Sequence, residues 1–307
     1  MGIKSLSKFL RDKFPQLFEP IHISEYRYKK IAIDTTLYLC NYKALYGDDW
    51  LQAFTKLVST LRQNNIHCIF IFDSGYPPEK ELEKKERYEN RAKTERKIID
   101  IEDAIQKYHT HNEIDNILYE FQDKRKLSRS LIQQQTINIS AIEYALQKMK
   151  KQMFSISQSD YDEIKQLFNI LDVPYLYSPL EAETMCSDLC IQGKVDAVLT
   201  EDTDVLAYGT PVFLTKFNTG NGVCMRINYD KLLQEMNLTH SQFLDFCIMC
   251  GTDYNKNITG IGPAGAYKLI ILYNTIEDVI KEIENIDLKK PKKRDITVLN
   301  HIRTREL

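Results

Sequence analysis

Asp202 and Asp204 stand two residues apart at the end of V-D-A-V-L-T-E-D-T-D (195–204), directly after the apolar Val195, Ala197, Val198 and Leu199. On a locally extended backbone, residues two apart point the same way, so the two carboxylates converge. At 4 Å and an effective dielectric near 20, two such charges repel by about 4 kcal/mol. Protonation of one acid, a solvated turn, or a cation between them would relieve the strain. A single acidic doublet fits the solvated turn well enough. The pattern recurs, however: Lys30 to Asp34 reads K-I-A-I-D and His67 to Asp73 reads H-C-I-F-I-F-D, each a continuous apolar run closed by aspartate.

The elements that must position these acids follow from the runs themselves. Continuous β-branched and aromatic runs read as strands buried on both faces, as in parallel sheets covered by helices. In open α/β sheets ligands bind beyond the carboxyl ends of the strands. Three strands ending in Asp would bring Asp34, Asp73, Asp202 and Asp204 to one edge, which is a metal site in outline. Between the first two, Trp50, Phe54, Leu57, Val58 and Leu61 mark one face of a helix, giving a β-α-β unit of right-handed sense. An amphipathic helix carrying Ile3, Leu6, Phe9 and Leu10 precedes them and stops at Pro15.

After Asp73 the turn S-G-Y-P-P leads into a charged helix, Glu79 to Lys97. At about 100° per residue, Lys80, Lys84, Arg87 and Arg91 fall in a stripe about 60° wide, with Glu79, Glu81, Glu83, Glu86 and Glu89 off it. A solvated, salt-bridged face is the plain reading; four cations facing an entering phosphodiester is the functional one. Residues 98–157 contain neither Gly nor Pro and have weak apolar periodicity, so they read as a flexible helical excursion rather than a second core, with His109 and His111 at its surface. Ser159 and Asp162 have capping-box spacing for the next helix, and Ser178, Pro179 and Glu181 have it again for the one after. Glu181 is therefore open to a structural reading, whereas Glu183 has no such role. Strands at Pro211 to Phe217 and Val223 to Ile227 follow, then a helix capped by T-H-S-Q. Gly260, Gly262 and Pro263 open a further helix in a hydrophobic-Gly-hydrophobic-Gly turn, whose N–H groups suit a phosphate; a tight helix connection is the alternative.

The chain has 307 residues, 43% hydrophobic and 27% charged, as expected of a globular protein. It has no apolar run of membrane-spanning length and its start, M-G-I-K-S-L, lacks the apolar core of a signal peptide, so no membrane association and an intracellular location are expected. Gly2 is not followed by the Ser or Thr that myristoylation needs at position 6. The seven cysteines have no framework spacing, and Cys247 and Cys250 lack a second ligand pair for zinc, so buried reduced thiols are expected. The formal net charge of −2 would be +5 without seven of the carboxylates, much of that surplus lying in K-K-P-K-K-R, Lys289 to Arg294. That run fits a solvated end or a nuclear localisation signal.

Taken together, M-G-I, I-A-I-D, F-I-F-D-S-G-Y-P-P, V-P-Y-L-Y-S-P-L-E-A-E, L-T-E-D-T-D-V-L-A-Y-G, C-G-T-D-Y and I-T-G-I-G-P resemble the flap endonuclease branch of the 5′ nuclease (XPG/Rad2-type) family, in the right order over almost the whole chain. The resemblance implies an α/β fold with a mixed, largely parallel central sheet flanked by helices (PIN-like), a helical arch and a C-terminal helix-two-turn-helix element. It implies a single nuclease domain over 1–290: nuclease motifs in 1–97, an arch or variable region in 79–157, further motifs in 158–238, the helix-two-turn-helix element in 239–285, and a basic tail over 286–307. The family's seven metal-binding acids fall on Asp34, Asp73, Glu181, Glu183, Asp202, Asp204 and Asp253. Its catalytic basic pair falls on Lys80 and Arg87, and its monovalent-cation loop on Asn257, Ile258 and Ile261. Nucleic-acid contacts are expected from Gly2, Lys84, Arg91, Gly260, Gly262 and Lys268. The family's substrate-stacking aromatic, six residues after the first Asp, is replaced by Cys40, leaving Tyr38 or Tyr42 as candidate substitutes. The arch is longer than usual and there is no sliding-clamp motif after the basic run.

The implied function is structure-specific cleavage of branched or nicked DNA by a monomer carrying two Mg²⁺ (or Mn²⁺) ions, with K⁺ at the hairpin turn, acting in the nucleus or at a site of DNA replication. A viral or compact-genome source fits. The rival readings are a processive 5′→3′ exonuclease on DNA or RNA, a catalytically silent junction-binding scaffold, and a metal-dependent phosphatase of small molecules, which the basic stripe and hairpin turn disfavour.

Overall fold

The computed structural model describes residues 2–125, 137–151, 153–287 and 294–307. Each aspartate-ended run forms a strand. The strands are β1 (Glu19–His22), β2 (Lys30–Asp34), β3 (His67–Phe72), β4 (Tyr175–Tyr177), β5 (Ala197–Leu199), β6 (Val212–Asn218) and β7 (Val223–Asn228), in the spatial order β1-β7-β6-β5-β2-β3-β4. The pairs β5–β6, β5–β2, β2–β3 and β3–β4 are parallel; β6–β7 and β7–β1 are antiparallel. The mixed, largely parallel sheet is therefore as expected, and β2, β3 and β5 lie side by side in its centre with their carboxyl ends at one edge.

Period-two alternation decides which helices cover which face. Ala32, Ile71, Val198 and Phe213 point into one hydrophobic cluster, while Ile31, Ile33, Phe70, Phe72, Ala197 and Leu199 point into the other. The second cluster is closed by α2 (Thr35–Tyr46), α3 (Trp50–Gln63) and α7 (Gln158–Ile170). The first is closed by α1 (Leu6–Lys13), α8 (Ala182–Ile191), the single turn α9 (Asp204–Ala207), α10 (Tyr229–Met236), α11 (His240–Cys250), α12 (Pro263–Tyr273) and α13 (Ile276–Asp287). The last helix, α14 (His301–Glu306), packs on α11 and ties it down: Arg305 bonds buried Asp245 at 2.7 and 2.8 Å and Glu277 at 2.6 and 3.0 Å. All seven cysteines are free thiols; Cys40 is half-buried and the rest are buried.

Two local expectations are corrected. The cap of α7 is Ser157, which accepts from the Asp160 N–H while Asp160 accepts from the Ser157 N–H at 2.7 Å; the box sits two residues before the Ser159/Asp162 pair. Asp160 is also held by Lys43 at 2.5 Å, a contact the later pair does not make. The arch region is no loose excursion. From α4 (Glu81–His111), α5 (Asn116–Arg125) and α6 (Ile139–Lys151), the residues Ile98, Ile101, Ile105, Phe121, Ile142 and Leu146 are among those that build a third hydrophobic cluster of its own. His109 lies at the surface as expected, bonded to Glu143 at 2.8 Å. Residues 126–136 of the arch, and the basic run apart from Arg294 with the boundary set at 290, lie outside the described residues.

Candidate active site

The strand ends deliver the acids, and helix starts hold them in place. Asp34 closes β2 and caps α2, its Oδ1 accepting from the Leu37 N–H at 3.1 Å, while Oδ2 accepts from the Thr200 hydroxyl at 3.4 Å. Asp73 follows β3 and accepts from the Ala182 N–H at 2.6 Å, so it caps α8 from a neighbouring strand. The S-x-x-E capping box of Ser178 and Glu181 is thus not formed. Ser178 donates instead to the Glu181 carbonyl at 2.7 Å, and the Asp73 carboxyl already occupies the helix start. That releases the Glu181 side chain into the site, where the Tyr254 hydroxyl donates to it at 2.5 Å and Lys80 pairs with it. Glu183, one residue into α8, is buried.

Asp202 and Asp204 leave β5 as the spacing predicts. Asp202 accepts from the Asp204 N–H at 3.1 Å, and Asp204 from the Ile3 N–H at 2.7 Å. The N-terminus approaches this closely because of Gly2, whose φ is +85°. A Cβ there would overlap Asp202 Oδ1 and lie 2.7 Å from Asp204 Oδ1. Ligand oxygens of Glu183, Asp202 and Asp204 all lie within 4.8 Å of one another. Asp253, in the loop after α11, is bonded through Oδ2 to Lys80 Nζ at 3.0 Å and Arg87 Nη2 at 3.0 Å. Of the four-cation stripe, Lys80 and Arg87 therefore reach the acids. Lys84 instead covers the Tyr76 ring at 3.4 Å, and Arg91 bonds Glu95 and the Met153 carbonyl, both at 3.2 Å.

The electrostatics are those of crowded anions. Burial and then the charge of Asp73 push Asp34 up to about 7. Burial raises Glu183 well above the ordinary range, with Asp34 and Glu181 adding to it, and raises Asp204 likewise, with Asp202 and Asp253 adding. Asp73 and Asp202 are also raised by burial. For Lys80 burial works the other way, yet Glu181, Glu183 and Asp253 outweigh it and hold the ammonium charged. Three buried carboxylates with oxygens gathered at one point, Glu183, Asp202 and Asp204, have the chemistry of a hard divalent-cation site.

Other expected contacts are spread more widely. Gly260 (φ +82°) and Gly262 are exposed at the start of α12, and Lys268 is exposed on it. The Ile258 and Ile261 carbonyls converge on the Asn257 side chain, accepting from Nδ2 at 3.5 and 3.0 Å. Tyr38 and Tyr42 do not substitute for the aromatic replaced by Cys40. At 4% and 9% exposure they face the core from the inner side of α2, ring against ring at 5.5 Å. Sequence reasoning missed Tyr254 and Tyr208, whose hydroxyls are 3.1 Å apart and lead to Glu181. The only available signal was Tyr254 standing next to Asp253.

The XPG N-terminal domain family matches residues 1–94 and the XPG I-region family residues 172–253. A probable RAD2-like endonuclease of Invertebrate iridescent virus 6 is 32% identical, covering 100% of this chain and 79% of its own length. The flap endonuclease 1 of Salmo salar is 31% identical, covering 94% of this chain and 70% of its own. Among solved structures, the catalytic core of Rad2 in complex with DNA substrate superposes with a TM-score of 0.66 at 16% identity, covering 94% of this chain and 74% of that one. The flap endonuclease-1 of Methanococcus jannaschii does so with 0.55 at 22% identity, covering 88% and 79%.

Proposed function

The chain belongs to the XPG/Rad2-type flap endonuclease family, and from that premise we propose that it is a structure-specific 5′ nuclease hydrolysing DNA phosphodiesters near single-strand/double-strand junctions. The observation that carries the reading is the convergence of Glu183, Asp202 and Asp204, with four further acids joined to them electrostatically at the carboxyl edge of the sheet. Asp34, Asp73, Glu181, Glu183, Asp202, Asp204 and Asp253 would hold two Mg²⁺ or Mn²⁺ ions. Seven carboxylates against Lys80 and Arg87 leave five negative charges, which two divalent ions would reduce to one. Bound there, the ions supply an activated water and neutralise charge on the reacting phosphate.

The side chains have separable tasks in this reading. Lys80 and Arg87 stand beside the acids on the first two turns of the arch and stabilise charge developing on the phosphate oxygens. Tyr254 orients Glu181. Gly2 lets the N-terminal backbone pack against Asp202 and Asp204. The N-terminus of α12, with Gly260, Gly262 and Lys268, is a shape-reading contact for duplex backbone, and carbonyls gathered at Asn257, Ile258 and Ile261 offer K⁺ a seat there. Residues 1–290 act as one nuclease domain, monomeric, and the iridescent-virus relatives favour work on DNA at a site of replication within a host cell.

A substrate panel with Mg²⁺ tests this: flap, nicked, blunt and single-stranded substrates in both sugars. Preferred cleavage of flap or nicked DNA at the junction is expected. Faster stepwise release from blunt or single-stranded ends would replace this reading with a processive exonuclease, and tight junction binding without product would replace it with a scaffold. Asp202→Ala should abolish cleavage while leaving DNA binding within a few-fold; unchanged turnover would discard the assignment.

A further inference from the structure

Outward from the carboxylate cluster lies a cavity of about 420 Å³ whose walls change character along its length. Its inner end is shared with the site through Asp73, Glu181, Lys80 and Arg87. Its outer end is lined by Tyr76, Lys84, Tyr161, Lys165 and Tyr177. The volume is that of a small-ligand pocket, roughly 300–1,000 Å³, so it admits one base with its sugar and phosphate but no duplex.

Tyr177, on the edge strand β4, lies nearly flat on buried Phe72, with ring centroids 5.6 Å apart and planes 29° apart. Tyr175 meets its edge at 6.1 Å. One face of the ring is thus occupied and its orientation fixed, yet the residue is 52% exposed. Tyr76, which lines the same cavity, is 41% exposed, in a loop pinned by the Ser74 and Gly75 N–H groups donating to the Leu180 carbonyl at 3.0 and 3.3 Å. The Lys84 ammonium stands over that ring, and Lys165 reaches in from α7, steadied by Asp162 at 2.5 Å. Ordered aromatic faces beside cations are what single-stranded nucleic acid requires, the rings stacking on bases and the charges tracking phosphates. Helix α2, by contrast, presents Cys40 and no ring at the site.

We propose that this cleft receives the first unpaired nucleotide of the strand being cut, its base stacked on Tyr177 and its phosphate held by Lys84 and Lys165. The proposal rests on the nuclease reading, since the cleft is useful to an unpaired base only if the adjoining phosphate lies at the carboxylates. It also assigns to β4 and the loop after β3 the stacking role that α2 does not fill.

The test uses the full chain and flap DNA carrying either a normal base or an abasic site at the first unpaired position. For the unaltered protein, removing the base should lower kcat/KM about tenfold, at the low end of base–aromatic stacking. In Tyr177→Ala the normal flap should suffer the same loss and the abasic substitution should add little to it. Tyr177→Phe, which keeps the ring, should restore both the rate and the abasic sensitivity. Binding is read separately with 2-aminopurine at that position, whose fluorescence should be quenched by the unaltered protein and by Tyr177→Phe but not by Tyr177→Ala. An abasic penalty that is equal in Tyr177→Ala and the unaltered protein, or absent from both, overturns the proposal while leaving the nuclease reading standing. Absence of cleavage on any branched substrate overturns the nuclease reading and the cleft with it. The abasic comparison on the unaltered protein needs no variant, so a misfolded Tyr177→Ala does not shield the proposal.

Discussion

Glu183→Gln replaces one of three carboxylates whose ligand oxygens lie within 4.8 Å of one another by an uncharged group of the same shape. At that separation each ionised pair costs about 3.5 kcal/mol at an effective dielectric near 20, so Glu183 facing both neighbours ionised would bear twice that. Taking up a proton at pH 7.5 costs an ordinary Glu only about 4 kcal/mol. Protonation therefore caps what the crowding can cost in chelator, in line with the upward pressure on Glu183 from burial and the surrounding acids. Glutamine removes that cost, about 4 kcal/mol at most and less where water reaches the cluster. With an unfolding entropy of about 2.1 cal/mol/K per residue over 307 residues, the variant should melt roughly 3–6 °C higher than the unaltered protein in chelator. Thermal melts at pH 7.5 check this, followed by the same melts with Mg²⁺. A cation at 100 times its Kd adds about 2.7 kcal/mol to the folded state, so the unaltered protein should rise by roughly 4 °C and the variant by much less, and the variant should not cleave. A variant that melts lower than the unaltered protein in chelator, or that responds equally to Mg²⁺, refutes the claim that the carboxylates are crowded for the sake of a cation.

The remaining expectations are narrower. In chelator, stability should fall as pH rises from about 5 to about 7.5: the folded pKa of Asp34, near 7, lies above its unfolded value, so the folded state holds the extra proton and loses that advantage through this window. Mg²⁺ should flatten the slope, and a melting temperature that climbs with pH in chelator would contradict it. Lys80→Ala and Arg87→Ala should each lower kcat about 100-fold, the scale of losing one charge-stabilising donor, with flap affinity by anisotropy changed only several-fold. Gly2→Ala should weaken Mg²⁺ activation, seen as a right-shifted metal titration, because its Cβ needs the space of Asp202 Oδ1. Tyr254→Phe should lower kcat about tenfold, as expected for one hydrogen bond to a charged group, while KM for the flap stays put; an unchanged kcat would show that Lys80 alone orients Glu181.

The sheet and its acidic edge were legible because they are written in period-two and continuous apolar runs, whose burial leaves little choice of partner. Each of the three runs became a central strand, and the aspartate after each arrived at the same edge. The Glu181 side chain could not be resolved from its own segment. The S-x-x-E spacing was sound local chemistry, but Asp73, from more than a hundred residues earlier, supplied the cap, and only tertiary structure says that. The arch core was missed for a different reason. Ile98, Ile101 and Ile105 are diluted by charge along one helix, and the cluster exists only once α5 and α6 bring Phe121, Ile142 and Leu146 to it. Tyr38 and Tyr42 stand close to Cys40 in sequence, but their four-residue spacing puts both on one side of α2, the side the core took.

The long arch helix shows how one element serves two physical ends. At 31 residues it is about 46 Å long, and its buried apolar residues, Ile98, Ile101, Ala104 and Ile105, are confined to the second half. That half is stabilised by burial among its own neighbours, without using the sheet. The first half buries no apolar side chain and is held instead by charge: Arg87 to Glu83 and Asp253 and Lys256 to Glu86 on the helix, with Lys80 to Glu181 and Asp253 and Arg303 to Glu79 at 2.7 Å in the turn just before it. The exposed pairs, such as Lys256 with Glu86, contribute little stability each, so this half is held mainly through the less accessible Lys80 and Asp253 while the distal half is packed. A phosphate arriving at Lys80 and Arg87 competes only with carboxylates, which cations can satisfy equally well, and with no hydrophobic contact that would have to be broken. Placement by charge is also why the helix reads poorly from hydrophobic periodicity. Its functional turns are placed by electrostatics, which leaves no 3.6-residue apolar rhythm, and the part with such a rhythm stands away from the chemistry.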